Sequence, residues 1–334
     1  MNNKLSRRTF IGGSAAALAT ASLAPMLSSC HASAGRSFPG FYEFGSKFGG
    51  VQIGAITYSW RNMPDGLENI VKYCKESGVS SIELMSGDLE AYLGAPENPM
   101  RRMFAMGGRR QLTPEEQEIQ DQYNVDLKTF RLSVSPQRVA AAKKLFDDER
   151  IGVHIVKFSP SRWSPEEIDY AFVTAKAMGA NAVCEEIGEN AANVLGPFAE
   201  KHGMYAILHN HAQYGQPGFS ADPFLAVSPA LKLNFDIGHY YGSTGLCPCA
   251  FIRKYHDRIY SIHLKDKTGP NTDPRDTNQV WGQGETPIAK VLLLLKEEGW
   301  PIYADIELEY PINTWSNQVK ETRTCVQYAR NILI

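Results

Sequence analysis

The chain has 334 residues, 43% of them hydrophobic and 21% charged, with a formal net charge of −2. That apolar content is enough for a sizeable core and excludes a disordered chain. A mildly acidic balance argues against a duplex DNA partner, which needs a concentrated basic face.

The first thirty residues read as an export signal. Ser6-Arg7-Arg8-Thr9-Phe10 resembles a twin-arginine signal, and the weakly apolar stretch from Ile11 to Leu27 is too short and too rich in small residues for a membrane span. Leu27-Ser28-Ser29-Cys30 resembles a bacterial lipobox. The expectation is an exported protein, periplasmic or membrane-anchored, that touches the membrane only through a lipid anchor at Cys30. Losing Lys4, Arg7 and Arg8 would take the formal charge from −2 to −5. Residues 31–49, rich in Ser, Gly and Phe, read as a tether. The cysteines beyond Cys30 are Cys74, Cys184, Cys247, Cys249 and Cys325, an odd and scattered set rather than a disulfide framework. Cys247-Pro248-Cys249 reads as a loop that starts a helix, with a soft-metal or redox pair as the alternative.

From there the predicted elements alternate. Val51–Trp60 is a first strand, Leu67–Gly78 an amphipathic helix and Ser81–Met85 a second strand. Residues 87–135 break the rhythm. They hold Arg101-Arg102, Gly107-Gly108-Arg109-Arg110 and the acidic helix start Thr113-Pro114-Glu115-Glu116. They read as a long insertion with its own helix, placed over the catalytic mouth, with at least one of those four arginines near the pocket. A helix over Ser135–Phe146 and a third strand over His154–Ser159 follow. Ser164-Pro165-Glu166-Glu167 is a capping box that opens a helix to Met178.

Ala182–Ile187, Tyr205–His211, Leu231–Asp236, Ile259–Lys265 and Ile302–Glu309 are strands four to eight, separated by helices near 190–202, 221–228, 247–256 and 286–299. A last helix lies near 317–332. Eight short apolar runs alternating with helices predict an α/β protein, a closed (β/α)8 TIM barrel over 50–334 with a long insertion after strand two. The alternative is an open doubly wound sheet, which the missing Gly-rich phosphate loop after strand one disfavours.

The strand ends carry the chemistry. Asp236 and His239 close strand six, His263 closes strand seven with Lys265 and Asp266 behind it, and Glu307 and Glu309 close strand eight. In a parallel barrel these ends gather at one mouth. Buried carboxylates there need a cation or a donor, so Asp236, His263 and Glu307 are expected metal ligands. Asp236 as a plain helix cap is the competing role. Glu185 and Glu186 point to opposite faces of strand four, and Glu185 is chosen as the residue that enters the mouth. Lys265 is a candidate electrophile or proton donor. His209 and His211 share a face across Asn210 and can bind hydroxyls, move protons or extend the metal site. His239, Glu309 and Gln283, the last within Trp281-Gly282-Gln283-Gly284-Glu285, are candidate substrate contacts.

Phe235-Asp236-Ile237-Gly238-His239, Ile262-His263-Leu264-Lys265-Asp266, His209-Asn210-His211, Gly282-Gln283-Gly284-Glu285 and Ile306-Glu307-Leu308-Glu309-Tyr310 resemble the xylose-isomerase-like barrel superfamily, the sugar phosphate isomerase/epimerase group. The resemblance covers residues 50–334. It implies a divalent ion (Mn, Co, Mg or Zn) held by Asp236, His263 and Glu307 with Glu185 as a fourth ligand. It also implies catalysis by Glu185, Glu307, His211 and Lys265 on a sugar or keto-sugar through an enediolate. Epimerisation or isomerisation is the first expectation. Dehydration or hydration of a keto-sugar or inosose is the alternative, because His209-Asn210-His211 stands where ketose 3-epimerases carry a glutamate. A sugar-binding lipoprotein without catalysis is the reading from another class.

Overall fold

The structure is a computed structural model and describes residues 45–100 and 112–334. The expected export signal, Cys30, most of the tether and all four arginines of the insertion, Arg101, Arg102, Arg109 and Arg110, lie outside the described residues. Eight parallel strands close into a barrel: β1 Val51–Ile56, β2 Ser81–Met85, β3 Gly152–Lys157, β4 Ala182–Glu186, β5 Tyr205–His209, β6 Leu231–Asp236, β7 Ile259–Leu264 and β8 Tyr303–Ile306. Each pairs with its neighbours in sequence, and β8 pairs with both β7 and β1 to complete the ring. A short strand, Lys47–Phe48, lies antiparallel on the start of β1.

The expected strands appear, with shifted ends. Strand one stops at Ile56 and Thr57–Trp60 is a single 3-10 turn; strand three starts earlier, at Gly152. Strands five and eight stop at His209 and Ile306, so His211, Glu307 and Glu309 stand beyond the ladder, in the loops above it.

Alternation along the strands sorts side chains into two environments. Ile82, Leu84, Val153, Val183, Leu208, Leu233, Phe235, Ile262, Leu264, Ala304 and Ile306 join the main hydrophobic core, against the helices. Ile155, Ala182, Cys184 and Ile207 form a separate small apolar cluster. The rest of the interior is polar. Asn234 Nδ2 on β6 donates to Glu83 Oε2 on β2 at 2.7 Å, and His154 on β3 meets Asp305 Oδ2 on β8 at 2.9 Å. These strands are not neighbours, so the bonds cross the inside of the barrel. Gly54 on β1 makes room for them: a Cβ there would lie 2.0 Å from Asp305 Oδ1 and 2.8 Å from the Ser81 carbonyl oxygen.

The insertion contributes helices Ser86–Leu93 and Pro114–Ser133. Thr113 caps the longer one through a reciprocal pair with Glu116. Near its end, buried Arg131 reaches Glu90 at 2.8 Å and Glu167 at 3.0 Å, with its guanidinium 3.4 Å above the Trp163 ring. Because Glu90 lies on the helix after β2 and Glu167 opens helix Pro165–Ala177, this one cation ties three helices together.

Candidate active site

The C-terminal strand ends hold a dense cluster of charged and imidazole side chains. A register shift between Leu233 and Asn234 sets Asp236 opposite His263 across β6 and β7. Asp236 serves two purposes at once. Its Oδ1 accepts from the His239 backbone N–H at 2.8 Å and caps helix Ile237–Thr244, while its Oδ2 lies 2.9 Å from Lys265 Nζ.

His263 is fully buried between two carboxylates. Nε2 meets Glu83 Oε2 at 2.8 Å and Nδ1 meets Glu307 Oε2 at 3.0 Å. Burial opposes its protonation, but Glu83 and Glu307 hold its pKa well above the ordinary histidine value. Lys265 is the hub of the cluster. Its ammonium lies 2.9 Å from Asp236, 2.9 Å from Glu307, 2.7 Å from Glu309 and 3.0 Å from His239 Nε2. Burial opposes that charge, yet the three carboxylates raise the Lys265 pKa above its ordinary value. Burial would also raise the Glu307 pKa, but Lys265 and His263 hold it well below the carboxylate range.

His209 is buried beside His263, with ring centroids 4.7 Å apart, and its Nδ1 has no hydrogen-bond partner among the described residues. Burial first, and then the nearby cations Lys157, His263 and Lys265, push its pKa well below the usual value. It is therefore neutral, the form that offers a lone pair to a metal. One ligand atom from each of His209, Asp236, His263 and Glu307 falls within 4.8 Å of the others. The charges fit a cation as well. Glu83, Asp236, Glu307 and Glu309 gather around Lys265 and His263, and a divalent cation that took a His263 nitrogen would replace the proton held there. Two imidazoles and two carboxylates form a donor set suited to Zn, Co, Mn or Fe.

The remaining expected residues fall in different places. Glu185 does not enter the cluster: its oxygens accept from the Ser161 and Glu186 backbone N–H groups at 2.9 and 2.8 Å. Its neighbour Glu186 takes the inward face instead, because Ala182 and Cys184 occupy the same face of β4 below it. Glu186 Oε2 lies 2.9 Å from His211 Nε2, and its Oε1 accepts from Lys157 Nζ at 2.7 Å. His211 stands half exposed at the rim, its ring 4.9 Å from both His209 and His239. His239 is wedged between Lys265 and Lys267, the latter 3.4 Å from its Nδ1. Glu309 lines a cavity of about 270 Å³ with Ser59, Arg61 and Asn62.

Gln283 is exposed. The turn around it wraps on Asp266, which accepts from the N–H groups of Gly282, Gly284 and Thr286 at 2.8, 3.0 and 3.1 Å. The larger cavity, about 460 Å³, lies at the opposite end of the barrel around Tyr205, Tyr260, Trp300 and Tyr303 and includes none of these groups.

Glu83, Lys157 and Asn234 were not singled out from the sequence, and Glu186 was passed over for Glu185. Glu83 had a readable signal, since Ser81 and Glu83 alternate with Ile82 and Leu84 in β2.

Residues 148–330 match the xylose isomerase-like TIM barrel family, and the chain belongs to that family. Within it, a stretch of 134 residues is 32% identical to the inosose dehydratase of Klebsiella pneumoniae, covering 35% of this chain and 45% of that protein. The chain thus spans less than half the length of that relative. Among solved structures, a xylose isomerase domain protein from Alicyclobacillus acidocaldarius superposes with a TM-score of 0.58 at 12% identity, over 84% of this chain and 98% of the other. A sugar phosphate isomerase/epimerase from Parabacteroides distasonis gives 0.53 at 15% identity, over 85% and 96%. At these identities the two structures share the fold.

Proposed function

We propose that the protein is a divalent-metal-dependent enzyme that removes a proton next to the carbonyl of a keto-sugar and expels the β-hydroxyl as water. The observation that carries this reading is the convergence of His209, Asp236, His263 and Glu307 with a second imidazole, His211, at the rim. His209 takes the fourth ligand place expected for Glu185. A bound divalent ion would polarise the carbonyl and stabilise the enediolate.

The chain's own groups supply the rest. Lys265 adds a fixed positive charge beside the developing oxyanion. Glu309, the carboxylate of the cluster that lines the open cavity, takes the α-proton. As the β C–O bond breaks, its electron pair leaves with the oxygen and His211 protonates it, giving water. The electrons of the broken C–H bond become the new C=C, so no oxidant is needed. Epimerisation by two opposed carboxylates is disfavoured because Glu185 is turned away and imidazoles stand in its place. The match to inosose dehydratase over 134 residues supports the same chemistry. An exported location, read from Arg7, Arg8 and Cys30, favours a neutral sugar over a phosphorylated one.

The test incubates metal-loaded protein in deuterated water with an inosose or a 3-keto-hexose. The expected result is a product lighter by one water with deuterium at the former β-carbon, where the enol formed by elimination takes up a solvent proton, and deuterium at the α-carbon of recovered substrate. Exchange with a new epimer and no loss of water would turn the assignment to epimerase. Tight binding with no exchange would leave a sugar-binding protein.

A further inference from the structure

His211 is the least buried member of the cluster, yet one of its ring nitrogens lies in ion-pair contact with a carboxylate. Its Nε2 lies 2.9 Å from Glu186 Oε2. The other oxygen of Glu186 is fixed by Lys157 Nζ at 2.7 Å, and that ammonium is itself largely buried, with its side chain 11% exposed. The three residues come from adjacent parts of the fold: Lys157 ends β3, Glu186 ends β4, and His211 lies two residues beyond β5. Backbone pairing of Glu186 with His209 fixes the height of the carboxylate relative to the metal cluster. A carboxylate anchored at one oxygen presents the other in a defined direction. An imidazole held at Nε2 has only Nδ1 left for a third group.

We propose that Glu186, anchored by Lys157, is the positioning residue that orients His211 so that Nδ1 faces the reacting oxygen of the substrate. This rests on the reading of His211 as the proton carrier. The proton leaves Nδ1 for the departing hydroxyl oxygen as the C–O bond breaks, and Glu186 stabilises the ring on its far side throughout. Glu186, His209 and His211 also bring ligand atoms within 4.8 Å of one another, a second place where a metal could be held. Lys157 argues against that use, since it already supplies the positive charge Glu186 requires.

A double-mutant cycle tests the proposal, with His211→Gln, Glu186→Gln and the pair compared for turnover, KM, bound metal and melting temperature. Each single variant is expected to lose roughly 10²-fold in kcat, the scale of one general acid, with KM and one metal ion per chain retained. The double variant is expected to be no worse than His211→Gln, because Glu186 acts only through that ring. Glu186→Gln leaves a buried ammonium at Lys157 without its partner. If that variant folds poorly, Lys157→Met/Glu186→Gln restores the charge balance and is compared in its place. Fully multiplicative losses would overturn the proposal while leaving His211 as proton carrier. Two metal ions per chain, one of them lost in Glu186→Gln, would also overturn it. Unchanged turnover in His211→Gln would instead remove the proton-carrier reading, and this proposal with it.

Discussion

Two histidines inside the barrel invite comparison. His154 and His263 are both buried, and both are held at each ring nitrogen. In the lower layer His154 joins Ser81 Oγ at 2.8 Å and Asp305 Oδ2 at 2.9 Å, with Tyr303 stacked on its face at 4.0 Å. One carboxylate meets one imidazole there. In the upper layer His263 meets two carboxylates, and Asp236 and Glu309 add two more around a single lysine. The residue types are the same, but the upper layer carries surplus negative charge open to the mouth. A paired layer holds the strands together, whereas an unbalanced one is built to take up a cation.

That contrast predicts a division of effects. Breaking the upper layer should abolish metal binding and function, beyond whatever it costs in folding. His263→Asn is expected to lose bound metal and at least about 10²-fold in turnover, more than the loss typical for residues that merely support a ligand. Metal analysis of the purified protein beside a turnover assay decides it. Full metal occupancy in that variant would dissolve the distinction between the layers. Glu83→Gln, which leaves the ligands in place but removes the carboxylate behind His263, should weaken metal affinity by roughly 10–100-fold.

Breaking the lower layer should do the reverse. His154→Ala leaves Asp305 and Ser81 buried without their partner and is expected to cost about 3–5 kcal/mol of folding stability, with metal content and KM unchanged. Denaturant unfolding measures the first, and titration with the metal measures the second. Loss of metal binding at unchanged stability would show that the lower layer belongs to the site. Gly54→Ala is the milder form. Its Cβ would press on Asp305 Oδ1 at 2.0 Å, and an expected cost of about 1–3 kcal/mol follows for overpacking a filled interior.

Much of this was legible in the sequence because apolar runs ended abruptly in ligand-type residues. Asp236, His263, Lys265 and Glu307 announce themselves that way, and the structure gathers all four. The choice between Glu185 and Glu186 was not legible. Ala182, Val183 and Cys184 are all small or apolar, so they do not show which parity faces inward, and only the packing of Ala182 and Cys184 inside the barrel decides it. Gln283 is hard to read for a different reason. The glycines beside it serve a turn held by Asp266, and a turn and a substrate loop draw on the same residues. Arg131 was hidden because its partners Glu90 and Glu167 lie 41 and 36 residues away.

A third histidine–carboxylate pair, out at the surface, sharpens the comparison by removing burial from it. His202 Nε2 lies 2.6 Å from Asp169 Oδ1, and Lys201 Nζ reaches the same carboxylate at 2.6 and 2.7 Å. The Asp169 side chain is 34% exposed. Its slight burial opposes ionisation, but Lys201 and His202 lower its pKa below the ordinary aspartate value. The sign follows from linkage. A carboxyl whose folded pKa is depressed stabilises the fold above its unfolded value of about 3.9 and loses that contribution as pH falls through the folded value. Water screens such pairs, so the effect at neutral pH should be about 0–1 kcal/mol. Asp169→Asn is therefore expected to melt slightly below the parent at pH 7 and to converge with it in acid, once the lowered Asp169 carboxyl is protonated, as followed by circular dichroism. A gap that persists unchanged at low pH would mean that Asp169 works through hydrogen bonding alone. The ionic argument used for the upper layer would then need the same test at Glu83, where burial leaves no water to screen the charge.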